Sequence, residues 1–362
     1  MKKTLAAVAV LGAFAGSALA ADVTLYGKVD LGLQYKMVDN DGMADADHSW
    51  GLNSGNSGSS RFGFKGSEQI SEDLTVGFQL ENGLYADSGK MKGENDRLFD
   101  RESRLYVKGA FGEVAFGRMG NLNSGNGTYG IMGKSSAFGT AWGSALGGHE
   151  VTFGWAGTRY DNTVTYKSPS FAGVTAYAQY AMGDDSVENT SKTNRYAALG
   201  MTADYGALHA VMVVDQLNKK SFDATTGVVS DPDDQVTVSA GMTYDFGVVK
   251  AGLTAQYFQH MDKIEAKSKA GILSGDVKGY GVALSASAPV YGGTVAGVIG
   301  YLDAEDDNDT AKDMTRYNVG ATYMYPLSKR TSIYAGAGYI QEEVSNVDGK
   351  YVEVVSGIVH NF

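Results

Sequence analysis

The chain of 362 residues contains 49 Gly, 22 Tyr, 4 Pro and no Cys, and its formal net charge is −11. The absence of Cys excludes disulfides, thiol nucleophiles and thiolate metal sites. The excess of acidic residues argues against a nucleic-acid-binding protein, which would need a basic surface.

The first twenty residues have the layout of a secretory signal peptide. Lys2 and Lys3 precede a short apolar run over residues 5–14, and Ala18-Leu19-Ala20 offers small side chains for cleavage. The apolar run is too short to span a bilayer, and no other stretch approaches the roughly 18 apolar residues of a membrane helix. We therefore expect residues 1–20 to be removed and residues 21–362 to form one exported domain. An uncleaved N-terminal anchor is the alternative.

Apolar and polar residues alternate along almost the whole remaining chain. The pattern begins with Val23, Leu25 and Val29 on one parity, and it is clearest over residues 235–246 and 315–325. Such alternation predicts half-buried β-strands. We predict sixteen strands, which start near residues 22, 59, 73, 97, 113, 159, 174, 195, 208, 235, 249, 276, 294, 315, 331 and 350.

The predicted connections alternate between short turns and long polar loops. Tight turns lie at Ser71-Glu72, Phe111-Gly112, Gly206-Ala207, Gly247 and Gly292-Gly293, whereas long acidic stretches cover residues 37–58, 87–96, 183–194, 218–234, 261–275 and 303–314. Outer-membrane barrels have an even number of strands with short turns at one end and long loops at the other. The chain is therefore predicted to be all-β, a 16-stranded antiparallel transmembrane β-barrel wide enough for an aqueous channel. A soluble sandwich is the alternative.

Residues 119–158 form the longest stretch without a strand pattern. It is rich in Gly, Ser and Asn, includes Tyr129 and Trp142, has no carboxylate from 119 to 149, and carries Lys134 as its only fixed positive charge there. Loops of this length are usually functional or disordered. We expect this segment to be the third extracellular loop, folded into the barrel so that it narrows the pore.

Basic residues recur at strand positions that the alternation turns inward. The predicted pore-lining cations are Lys28, Arg61, Lys65, Arg101, Arg159 and Lys167, together with Lys134 of the long loop. Rings of Lys and Arg favour anions in pores. The alternative is that these cations pair with wall carboxylates such as Asp30, Glu81 and Asp161. The fourth strand is irregular, because Glu102 and Arg104 fall on the parity opposite to Arg101. Arg118 ends the fifth strand on the apolar parity and is not counted among these cations.

Six segments, in order along the mature chain, resemble the general porins of Gram-negative bacteria, of the neisserial and related proteobacterial type. They are Val23-Thr-Leu-Tyr-Gly-Lys28, Ser60-Arg-Phe-Gly-Phe-Lys-Gly66, Phe111-Gly-Glu-Val-Ala-Phe-Gly-Arg118, Asp161-Asn-Thr-Val-Thr-Tyr-Lys-Ser-Pro169, Tyr325-Pro-Leu-Ser-Lys-Arg-Thr331 and Gly357-Ile-Val-His-Asn-Phe362. The chain departs from the family at residues 104–108, which are usually apolar, and its long loop has fewer acids than usual.

The resemblance implies a homotrimer in the outer membrane, among outer-membrane lipids and lipopolysaccharide. It implies passive diffusion of small hydrophilic solutes through the barrel. The family's basic constriction residues correspond to Arg61, Arg101 and either Arg159 or Lys167. The terminal Phe362 resembles the signal that the β-barrel assembly machinery reads.

No motif indicates catalysis, a cofactor or a metal. The five histidines are scattered without metal-ligand spacing, no G-x-S-x-G motif occurs, and the acidic run over 303–309 lacks the spacing of a calcium loop. We therefore predict no enzyme activity and no cofactor.

The predicted function is general diffusion with a weak preference for anions. A solute-specific porin for a sugar, nucleoside or dicarboxylate is one alternative, with Tyr129 and Trp142 as the first candidates for solute contact. A barrel enzyme or an adhesin is another.

Overall fold

The computed structural model describes residues 23–362, apart from 94–96, 138, 140–141, 148–151, 154–157, 183–194, 223–225 and 227. The predicted signal peptide lies outside the described residues. The described elements are β1 (Thr24–Asn40), β2 (Asp47–Ser54), β3 (Arg61–Ser71), β4 (Leu74–Tyr85), β5 (Lys90–Met91), β6 (Glu102–Gly109), β7 (Gly112–Gly120), the 3₁₀ turn η1 (Ile131–Lys134), β8 (Arg159–Lys167), β9 (Val174–Ala181), β10 (Arg195–Tyr205), β11 (Leu208–Asn218), β12 (Ser221–Phe222), β13 (Val229–Ser230), β14 (Gln235–Asp245), β15 (Lys250–Glu265), β16 (Ile272–Val290), β17 (Gly293–Asp306), β18 (Asp309–Pro326), β19 (Thr331–Val344) and β20 (Val347–Asn361).

Antiparallel pairing closes the strands into a barrel. Strand β1 pairs with β20 on one side, and on the other side it pairs with β3 near its start and with β2 further along. Strands β2 and β3 therefore share one position in the wall. Strand β5 pairs only with the last two residues of β4, and β12 and β13 pair only with each other. The wall is a closed sheet of sixteen strand positions, as predicted.

The last residue completes the seam between the two ends of the chain. Phe362 and Gly27 exchange two backbone hydrogen bonds, with N···O distances of 3.0 and 3.1 Å. The predicted assembly-signal residue thus lies at the closing edge of the barrel.

The outer face of the barrel is apolar, and many of the inward side chains are polar. Leu25, Leu199 and Ile299 are more than half exposed on the outer face, whereas the inward Thr237 and Gln256 are almost fully buried. Such an outer face would be costly in water and suits the hydrocarbon of a bilayer. Among the described residues, no helix is long and apolar enough to cross a membrane.

Three of the predicted long loops are largely strand. Residues 37–58 include β2, residues 261–275 contain only a six-residue connection between β15 and β16, and β17 and β18 are joined by residues 307–308 within 303–314. These predictions were wrong because these hairpins project beyond the apolar band of the barrel. In water the outward face of these strands can be polar, and their buried face packs an apolar cluster that includes Met261, Leu273 and Met314. The alternation that marks a lipid-facing strand is therefore lost, although the pairing continues.

Candidate functional site

Residues 121–158 form the segment between β7 and β8, and its described part lies inside the barrel. The Leu122 backbone N–H donates to Gln179 Oε1 of β9 at 3.1 Å. Further along, Ala137 N donates to Ser285 Oγ of β16 at 2.9 Å, and Ala145 N donates to Glu353 Oε2 of β20 at 2.8 Å. The described part of the segment therefore contacts inward side chains on strands far apart around the wall.

Glycines on the inner wall make room for this segment. A Cβ added at Gly252 of β15 would lie 2.9 Å from Ala137 N, and one at Gly338 of β19 would lie 2.6 Å from Ala145 O. We name the inward glycines in contact with the segment the glycine row: Gly200, Gly241, Gly252, Gly281, Gly300, Gly320, Gly336 and Gly338. Larger side chains at these positions would displace the segment from the wall.

Two buried carboxylates hold the segment at widely separated points. Glu102 of β6 accepts hydrogen bonds from Thr128 N at 2.8 Å and from Thr128 Oγ1 at 3.1 Å. Glu353 of β20 accepts one from Ala145 N and another from Gln34 Nε2, the latter at 2.5 Å. Both carboxylates are almost inaccessible to solvent. Hydrogen bonds to charged acceptors are stronger than neutral ones, so these contacts fix the backbone of the segment.

Arg104 provides a third anchor, which the strand pattern does not predict. Its guanidinium lies between the rings of Tyr106 and Tyr129, with Cζ 4.8 and 5.3 Å from the two ring centres. It donates to Tyr129 Oη at 3.2 Å, and Tyr129 in turn donates to Glu113. Burial raises the pKa of Tyr129, so its hydroxyl stays a donor. Arg104 faces inward because Glu102, Arg104 and Tyr106 alternate regularly along β6; the irregularity lies at Arg101, just before the strand.

A cavity of about 360 Å³ lies between the segment and the opposite wall. Its wall side comes from β1, β3, β4 and the start of β6, and its other side from the segment. The lining residues are Lys28, Gly58, Ser59, Arg61, Gln79, Glu81, Arg101, Glu102, Gly125, Asn126, Gly127 and Thr128. Three of the predicted cations, Lys28, Arg61 and Arg101, are therefore brought together here.

Glu81 connects two of these cations. Its Oε1 lies 2.6 Å from Arg101 Nε, and its Oε2 lies 3.3 Å from Arg61 Nε. In the described part of the chain, no carboxylate lies within ion-pair distance of Lys28 Nζ. The two arginines are therefore paired with a wall carboxylate, as the alternative expected, whereas the ammonium group of Lys28 is open to the cavity.

The cross-strand register places like charges side by side. Lys28 of β1 lies directly opposite Arg61 of β3, and Glu81 of β4 lies directly opposite Glu102 of β6. Like charges at opposed positions destabilise a sheet. A wall selected only for stability would avoid this arrangement, so the register points to a function for the charges.

A model of the Gram-negative porin family matches residues 6–345. The chain belongs to this family. It is 31% identical to an outer membrane porin of Bordetella pertussis over the full length of both chains. The solved anion-selective porin from Comamonas acidovorans is 25% identical, aligned over 94% of this chain and all of the other, with a TM-score of 0.66. The trimer form of OmpT from Vibrio cholerae shares the fold at 17% identity, aligned over 95% of this chain and 100% of that one, with a TM-score of 0.64.

These comparisons confirm the predicted family, and the chain is an outer-membrane porin. Porins of this family are channels through which small hydrophilic solutes diffuse. The structure accordingly provides a polar interior and an apolar outer face.

Of the remaining predicted cations, Arg159 contacts residues that line the cavity, whereas Lys65, Lys167 and Lys134 are not among the residues that line it. Arg159 is adjacent to it, because its Nε donates to Arg101 O at 2.9 Å and its Nη2 to Asn126 Oδ1 at 3.2 Å. Lys65 lies over the Tyr26 ring and Lys167 over the Tyr177 ring, at 5.3 and 5.9 Å, both nearer the end with short turns. Lys134 is exposed on η1.

Unlike Glu81, the other two wall acids named as alternative partners, Asp30 and Asp161, have separate roles. Asp30 is fully buried and holds the turn before β3, since it accepts hydrogen bonds from Ser57 N and Gly58 N, both at 2.8 Å. Asp161 pairs with Arg97 and Arg118 at 2.5 and 2.7 Å. Asp30 therefore shapes the cavity edge through Gly58, which lines it.

The two aromatic residues predicted in the long loop are buried. Tyr129 is 1% exposed, and Trp142 is 8% exposed and packs edge-on against Tyr334 with ring centres 5.5 Å apart. Because neither ring faces open space, both act in packing the segment and neither is placed to stack on a solute.

Proposed function

We propose that this porin is a general diffusion channel with a weak preference for anions, and that its constriction is the cavity between residues 125–128 and the wall of Lys28, Arg61 and Arg101. The observation that carries the proposal is the charge of that cavity. Three cations and two carboxylates line it, which leaves one excess positive charge. A cleft lined by a surplus of one sign raises the local concentration of counter-ions.

Two further observations support this proposal. The described part of the segment contacts inner-wall residues on strands from β9 to β20, and the cavity is bordered by the charged wall of β1, β3, β4 and β6. The anion-selective relative from Comamonas acidovorans has the same fold. The acidic residues of the outer hairpins act only weakly at the constriction, because charges are screened beyond ~8 Å at physiological salt.

The test is the zero-current potential of the purified porin in a planar bilayer between two KCl concentrations. The proposal expects a potential of the sign produced by chloride permeating faster than potassium. A potential of the opposite sign would indicate that the acidic residues of the outer mouth determine the ion selectivity. The absence of conductance would revive the enzyme and adhesin alternatives.

Replacing Glu81 with Gln should strengthen the preference for anions. The change removes one negative charge from the cavity, and a unit charge at 4 Å contributes about 1 kcal/mol in water, which corresponds to about fivefold in the chloride-to-potassium permeability ratio. Glu305→Gln is the matched control, since Glu305 lies on the outer part of β17 and pairs with Lys278. An equal increase in both variants would place the selectivity outside the constriction.

Selectivity should also weaken as salt rises. Between about 0.1 M and about 1 M the screening length falls from ~10 Å to ~3 Å. A field-based preference therefore shrinks toward a permeability ratio of one, measured as the zero-current potential at a fixed concentration ratio. A saturating current with an unchanged ratio would instead indicate a specific solute site, as the solute-specific alternative requires.

We also propose that the working form is a homotrimer, with residues 1–20 removed on export and Phe362 read by the β-barrel assembly machinery. The trimer form of the Vibrio cholerae relative and the position of Phe362 at the seam support this. Conductance steps in groups of three, and a mature N-terminus at Ala21, are the expected results. Lipopolysaccharide and outer-membrane lipids are the proposed surroundings of its apolar outer face.

A further inference from the structure

Three ligand-type side chains meet at the end of the barrel that carries the long loops. Asp233 lies just before β14, His260 lies in β15 and Asp276 lies in β16. One imidazole nitrogen and one oxygen from each carboxylate lie within 4.8 Å of one another. His260 Nδ1 is 2.8 Å from Asp276 Oδ1. All three side chains are at least partly accessible to solvent.

A bulge in β15 brings the imidazole to this position. The register with β16 shifts between Phe258 and Met261, and both of these side chains are buried. His260, between them, has a φ of +56° and remains partly exposed. Bulges re-aim side chains in this way. The pairing of Gln259 with Val236 sets His260 beside the start of β14, which Asp233 precedes.

The donor set selects a class of metal ion. Mg²⁺ and Ca²⁺ take oxygen ligands, whereas an imidazole nitrogen with two carboxylates suits Zn²⁺ and related transition metals. Three protein ligands leave a coordination position for water, as in open zinc sites. We propose that Asp233, His260 and Asp276 form a binding site for Zn²⁺ or a similar divalent transition metal at the extracellular rim. The proposal is independent of ion selectivity.

A second histidine–aspartate pair in the same chain serves as a matched control. His209 Nδ1 lies 2.7 Å from Asp204 Oδ1 at the opposite end of the barrel. Among the described residues, no third His, Cys, Asp or Glu joins that pair to form a candidate ligand group. If a histidine–aspartate pair alone sufficed, both sites would bind the metal equally well.

The test is a titration of the full-length mature porin in detergent with Zn²⁺, in the presence of excess Mg²⁺ and Ca²⁺. Binding is measured by isothermal titration calorimetry. We expect one Zn²⁺ per chain. His260→Gln, Asp276→Asn and Asp233→Asn should each weaken binding by at least about tenfold, since even the outer partners of metal ligands contribute that much. His209→Gln should leave binding unchanged. Asp233→Asn is nearly isosteric and lies outside the strands, so it tests the site without disturbing the barrel.

Three results would overturn the proposal: the same affinity in the wild type and in His260→Gln, an equal loss in His209→Gln, or displacement of Zn²⁺ by Mg²⁺. The visible spectrum of bound Co²⁺ gives a second readout. It should show a nitrogen ligand that disappears in His260→Gln, and a spectrum unaffected by that change would equally contradict the site.

Discussion

Replacing Arg61 and Arg101 together with alanine is expected to reverse the selectivity of the channel from anions to cations. The double change removes two of the three cations that line the cavity and leaves Lys28 against Glu81 and Glu102. It also takes both ion-pair partners from Glu81. At about 1 kcal/mol for each unit charge at 4 Å in water, the permeability ratio should change by about thirtyfold at low salt. The zero-current potential should therefore change sign.

The control for this experiment removes the same charge elsewhere in the pore. Lys65 and Lys167 also face inward but lie over tyrosine rings away from the cavity. Replacing both with alanine should alter the permeability ratio much less than the arginine pair does. If the two double variants behave alike, selectivity depends on the total charge of the wall, and the assignment of the constriction fails.

Removing the carboxylate of Glu353 is expected to enlarge the channel. In Glu353→Ala the buried Ala145 N–H loses its acceptor, and an unsatisfied buried donor costs about 1–3 kcal/mol. The amide of Gln34 loses its partner as well. The segment between β7 and β8 should then move away from the inner wall. We expect the single-channel conductance and the current noise both to increase.

Glu343→Ala on the neighbouring strand β19 is the matched control, because that carboxylate is exposed. It should leave the conductance unchanged. The barrel of each variant is checked by its resistance to unfolding in detergent. A Glu353→Ala barrel that is intact and conducts like the wild type would show that this anchor does not hold the constriction.

The strand order and the facing of most pore residues could be predicted from sequence, because side chains on a strand alternate strictly between the two faces. Lys28 and Arg61 follow from this parity alone. The shared role of Glu81 does not, since it depends on the register between β3, β4 and the residue before β6. Register is a property of paired strands, and a single strand's pattern does not contain it.

The missed anchor and the misplaced loops have different physical causes. The inward position of Arg104 does not follow from the sequence, because the irregular position of Arg101 obscures the alternation that begins at Glu102. The outer hairpins lack the alternation of lipid-facing strands, because their outward face is polar while apolar residues such as Met261 and Met314 pack on the buried face. The inward glycines carried a usable signal, since residues such as Gly252 and Gly338 fall on the polar parity where a side chain would be expected.

The glycine row has a consequence for the order of assembly. Its members belong to strands from β10 to β19, and the Glu353 anchor belongs to β20, the last strand of the chain. The set of wall residues that the segment contacts is therefore incomplete until the C-terminal strand has paired with the N-terminal strand. We therefore expect the barrel to close before the segment makes its last contacts with β20. We expect an intermediate without its last strands to leave the described part of this segment more open to proteases than the finished channel does.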